Sequence, residues 1–168
     1  EAAGENPPRG ATFHYSLATK VEGEVTAEIY DGEGRRVRRL SSLPEPQIYP
    51  EDDPDEPMKA PEAALSTAAG LHRAVWDLRW EGARRLDDAK VDLGDPTVGP
   101  LATPGTYRLR LTAGGQTEET VVSVLPDPRA RTSAAELSEQ LAFGLDVRSR
   151  IDRVVADGVA RQGPPRGP

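Results

Sequence analysis

Leu71-His72-Arg73-Ala74-Val75-Trp76-Asp77-Leu78-Arg79-Trp80 decides how the rest of the chain is read. Its even positions, His72, Ala74, Trp76, Leu78 and Trp80, form a largely apolar row. Its odd positions include Arg73, Asp77 and Arg79. A period of two is that of a strand with one buried face. In a chain with two Trp and two Phe, Trp76 is the largest side chain available to anchor a core. Read as one strand, the stretch places Trp76 and Trp80 on one face, about 13 Å apart.

The neighbouring segments supply partners for that row. Ala11 to Leu17 alternates Phe13, Tyr15 and Leu17 against Thr12, His14 and Ser16. Val25 to Tyr30 alternates with Val25, Ala27 and Ile29 inward, and Asp31-Gly32-Glu33-Gly34 closes a hairpin onto Arg35 to Leu40. Thr106 to Ala113 sets Tyr107, Leu109 and Leu111 against Arg108, Arg110 and Thr112. Gly114-Gly115 is a two-residue turn, and Gln116 to Leu125 returns. Strands with turn signals and no intervening helix predict a mainly β protein, an antiparallel sandwich. The expected core is Phe13, Tyr15, Ile29, Trp76, Tyr107 and Leu109.

Residues 1–10 read as a linker, and residues 11–126 as the sandwich. Residues 41–69 form a Pro-rich acidic insertion, and Glu81 to Pro104 forms a second long connection. After Pro126-Asp127-Pro128 comes one long C-terminal α-helix, predicted over 133–158, then a tail over 159–168. Ser133-Ala134-Ala135-Glu136 fits a capping box. Gly158 fits the C′ position. With Leu137 at zero and steps of about 100°, Leu141, Leu145, Ile151 and Val155 fall on one flank. Phe143, Val147 and Val154 fall on the other, and the apolar arc is about 200° wide, twice what one packed face needs. One flank is expected to cover the sandwich. Phe143, Val147 and Val154 are then candidate interface residues, for a second copy of the helix or another domain.

Composition excludes several classes. The net charge is -7, so nucleic acid is not expected as a partner. Most of that charge sits between Pro44 and Glu62. There is no cysteine, so disulfides and thiolate metal sites are excluded. The sequence carries no membrane span and no signal peptide. It begins on Glu1 without Met, as expected of a mature form or a piece of a larger protein.

No catalytic constellation, cofactor or metal site is predicted. His14 and His72 are the only imidazoles, without further ligands placed beside them. The acids from Glu51 to Glu56 are interrupted by Pro54 and lack the glycine and terminal glutamate of a calcium loop. No serine sits in a Gly-x-Ser-x-Gly context. An alternative is a carbohydrate-binding module, with Trp80, Tyr30 and Tyr49 as stacking rings. That alternative requires Trp80 to be exposed; a structural role requires it covered.

Three segments in order carry a resemblance: Gly23 to Val37 with its Asp-x-x-Gly turn, Gly70 to Arg79 with its Trp-Asp pair, and Gly99 to Tyr107 with Pro-Gly-Thr-Tyr. Together they resemble the Ig-like domain of the flagellar hook-capping type. More closely, they resemble the C-terminal region of bacterial secreted proteins with BNR or sortilin-like repeats. In those, a β-propeller labelled glycosyl hydrolase-like precedes a sandwich and a helical segment. The resemblance implies an Ig-like, non-catalytic accessory or docking domain, extracellular or periplasmic. Its partner would be the parent propeller or another protein.

Overall fold

The computed structural model describes residues 9–44, 64–84 and 95–162, with side chains to residue 158. The acidic run, Tyr49 and the calcium-loop reading therefore lie outside the described residues. The chain folds as two compact units. The first takes its described residues from 9–44, 64–78 and 104–125, and the second from 79–84, 95–103 and 126–162.

The first unit is an antiparallel β-sandwich. One sheet holds β1 (Ala11–Leu17) and β4 (Gly70–Trp76), with Ala11 opposite Trp76 and Leu17 opposite Gly70. The other has the order β3-β2-β7-β8, built from β2 (Thr26–Tyr30), β3 (Arg36–Ser41), β7 (Gly105–Ala113) and β8 (Gln116–Val124). First with fourth, and third-second-seventh-eighth, reproduces the B-E and C′-C-F-G pairings of the immunoglobulin fold. The large tryptophan differs from that pattern in coming from the E-equivalent strand.

Alternation puts Val25, Ala27, Ile29, Tyr107 and Leu109 inside, with Tyr15, Leu17, Ala74 and Trp76 from the other sheet, and Val37 and Leu40 of β3 are buried as well. Trp76 is 0% exposed and meets Tyr107 edge-on, with ring centroids 5.0 Å apart. Edge-to-face pairs of this kind add to the area they bury. Five of the six expected core residues are buried. Phe13 is only half-buried.

Both expected hairpins form. Asp31 Oδ1 accepts from the Glu33 and Arg35 amides at 3.0 and 2.9 Å. Gly114 and Gly115 both take positive φ, 56° and 79°, as a primed two-residue turn requires.

The quoted stretch is two strands rather than one. β4 ends at Trp76, and Leu78 takes φ 60°. A left-handed residue breaks the pleat, so the alternation does not carry through to Trp80. Trp80 belongs to β5 (Arg79–Glu81), which pairs with β6 (Val98–Leu101) in the second unit. The face shared by Trp76 and Trp80 in the sequence reading is thereby corrected. So is the reading of residues 81–104 as connection alone.

The second unit adds α1 (Ala134–Gln162). Its capping box forms as expected. The Ser133 amide donates to Glu136 Oε2 at 2.8 Å, and the Glu136 amide donates to Ser133 Oγ at 3.3 Å. Gly158 lies within the helix, not past its end. One glycine costs a helix only about 1 kcal/mol, too little to stop a run of good helix formers.

Candidate functional site: an uncovered helix flank

Within the second unit, α1 meets the β5–β6 ribbon along one stripe. Gly144 faces Pro100, and a Cβ built there would stand 2.9 Å from the Pro100 Cβ. The missing side chain lets the helix come down on the ribbon. One turn on, Arg148 Nη1 donates to the Glu81 carbonyl at 3.2 Å. A further turn on, Asp152 Oδ1 accepts the Arg84 amide at 2.7 Å. Steps of four residues place these three contacts on one face.

Around that stripe Leu137, Leu141, Leu145, Ile151 and Val155 are half-buried. No described side chain of the 29-residue helix is buried outright. The other flank is open. Phe143 is 71% exposed, Val154 67% and Val147 38%. These are the three candidate interface residues of the sequence reading, and the structure leaves them on the surface. Gln140, Phe143, Val147, Arg150, Val154 and Asp157 follow each other at alternating steps of three and four. That is the spacing of a helix-pairing seam. Arg150 Nε is held by Asp146 Oδ2 at 2.7 Å, one turn back. Its charge is thus drawn aside, and its methylenes remain along the seam.

No family model, curated protein or solved structure matches this chain.

Of the rings named for sugar stacking, Tyr49 lies outside the described residues, and Trp80 and Tyr30 belong to different units. Trp80 is 3% exposed and offers no free face. Tyr30 lies on the outer face of the four-stranded sheet, in the other unit. The guanidinium carbons of Arg108 and Arg110 lie 5.5 and 5.2 Å from its ring centre. Its hydroxyl donates to Glu28 Oε2 at 2.8 Å, and Arg36 Nη1 donates to Glu28 Oε1 at 3.2 Å. Arg110 Nε pairs with Glu119 Oε1 at 2.7 Å. Burial, and then the hydrogen bond to the Glu28 carboxylate, pushes the Tyr30 hydroxyl above its ordinary value. This cluster is a cross-strand charge ladder whose members satisfy one another.

His14 is exposed on β1. His72 stacks against Tyr15 at 5.1 Å, and its Nε2 lies 2.7 Å from the Ala68 carbonyl oxygen. Among the described residues no group of three or more His, Cys, Asp or Glu could hold a metal ion. Among them no helix is long and apolar enough to cross a membrane.

A polar clamp missed in the sequence reading holds the segment that leads into β4. Tyr15 Oη donates to the Ser66 carbonyl at 3.0 Å and accepts the Ser66 amide at 2.6 Å. Burial raises the Tyr15 hydroxyl, against the lowering effect of that amide. At the end of β3, Glu24 Oε1 accepts from Ser41 Oγ and from Arg39 Nη2. These two donors hold the Glu24 carboxyl below its ordinary value of 4.5. Only the alternation of Tyr15 was visible in sequence; its hydroxyl partner lies 51 residues away.

Proposed function

We propose that this chain is a non-catalytic Ig-like accessory domain that docks through the open flank of its C-terminal helix. The observation that carries the reading is the exposure of Phe143 and Val154 on a helix whose opposite stripe is already held by a ribbon. Exposed apolar surface arranged as a stripe is a feature of interaction sites. The resemblance to the C-terminal region of secreted BNR or sortilin-like propeller proteins gives the setting. In that setting the domain is extracytoplasmic and packs against a propeller or another protein, and any glycosyl hydrolase-like chemistry belongs to the parent. The Ig-type strand order is in keeping with that resemblance. The burial of Trp80 takes away the platform on which a carbohydrate-binding role would rest.

The test is urea unfolding of wild type and of the double variant Phe143→Glu/Val154→Glu. Surface substitutions outside the core change stability by about 0.5 kcal/mol or less. An unchanged midpoint is expected. A loss of several kcal/mol would place this flank inside the molecule's own core and end the docking reading.

A further inference from the structure

We infer that the open flank of α1 pairs with the same flank of a second copy, antiparallel, about a twofold axis that passes level with residues 148 and 149. The inference rests on the docking reading and names its partner.

An antiparallel helix pair sets seam positions of one kind against the other kind. Only a few registers bring Phe143 and Val154 together, and one of them fits the whole seam. There Phe143 meets Val154 of the partner subunit, Val147 meets the stem of Arg150 of the partner subunit, and Gln140 meets Asp157 of the partner subunit. By symmetry each contact occurs twice, as a twofold interface demands. Every apolar residue of the flank then faces an apolar side chain or the methylenes of one.

Charge selects the same register. Beside the seam, Asp146 lies nearly level with Arg153 of the partner subunit. Both residues are exposed on α1. The pair also occurs twice, with opposite signs facing each time. A parallel, in-register pair would instead set Arg150 against Arg150 of the partner subunit in the seam, and would leave Asp146 and Arg153 facing no opposite charge. Like charges facing across such a seam act against pairing, so the helix favours the antiparallel arrangement. The ribbon does not interfere, because Gly144, Arg148 and Asp152 occupy a different stripe.

The seam is short and its centre carries Arg150. It therefore belongs with small, reversible interfaces.

Sedimentation equilibrium tests the proposal with four proteins: wild type, Phe143→Glu/Val154→Glu, Asp146→Lys and Arg153→Glu. Wild type should dimerise reversibly, and the double variant should be monomeric while unfolding in urea like wild type at concentrations low enough that wild type too is monomeric. Asp146→Lys alone and Arg153→Glu alone should each dimerise about tenfold more weakly, because two facing pairs turn repulsive in each. An equimolar mixture of those two should associate more tightly than either alone, since both facing pairs are attractive in the mixed dimer, while Asp146→Lys also frees one Arg150 from its hold. A wild type that stays monomeric at millimolar concentration overturns the proposal. So does a dimer that survives Phe143→Glu/Val154→Glu, or a mixture no tighter than its components. In each of these cases the urea comparison still judges the docking reading separately.

Discussion

Single side chains hold the sandwich at few points. Trp76 is fully enclosed and meets Tyr107 at 5.0 Å. Trp76→Ala should cost about 3–5 kcal/mol, read as a loss of urea stability with circular dichroism. The Tyr15 clamp works through one hydroxyl that serves as both donor and acceptor to Ser66. Tyr15→Phe strips both partners while keeping the ring. It should cost about 1–3 kcal/mol, because the Ser66 amide and carbonyl lose a half-buried partner. The hydroxyl of Tyr15 is raised above 10.0. Its contribution is complete below that pH and fades as pH climbs through the raised value. Glu24 behaves in the opposite sense. Ser41 and Arg39 lower its pKa, so its contribution is present above 4.5 and is lost as pH falls through the lowered value. Between pH 6 and pH 3, wild type should lose stability that Glu24→Gln does not lose; parallel acid titrations monitored by circular dichroism would show equal losses if the carboxylate were idle.

At the level of strands and helices, legibility tracked periodicity. β1, β2, β7 and both hairpin turns could be read because a half-buried strand writes its face into every second residue. The capping box could be read because its two partners lie three residues apart. The ribbon could not. Val98-Gly99-Pro100-Leu101 has no alternation and carries a proline, yet β6 forms because β5 and α1 meet it. Trp80 was assigned to the wrong element because nothing local marks Leu78 as left-handed. The approach of α1 to β6 at Gly144 gives a sharp expectation. Gly144→Val would push γ-methyls into Pro100, where even a Cβ stands at 2.9 Å. The helix should be loosened by about 1–3 kcal/mol, seen as faster amide exchange along residues 137–155 with the sandwich amides unchanged. Equal protection in variant and wild type would mean that the ribbon does not hold the helix.

For the molecule as a whole, the reading is of a scaffold that presents a surface. The isolated chain should hydrolyse no glycosidic, ester or peptide bond. Turnover of any such substrate that a point substitution in this chain abolishes would overturn the non-catalytic reading. Local pattern was sufficient for the class of fold: alternation, turn glycines and a capped amphipathic helix predict a sandwich followed by one helix, and those are present. Local pattern also marked Phe143, Val147 and Val154, since a 200° apolar arc exceeds what one contact covers, by about a factor of two. Tertiary structure decided which half of that arc stays open. The stripe through Gly144, Arg148 and Asp152 is held because a backbone carbonyl and amide of the β5 end and a proline of β6 reach it. Those partners lie 44 to 68 residues away in sequence. Helical periodicity records how much apolar surface a segment carries, but not which distant segment arrives to cover it.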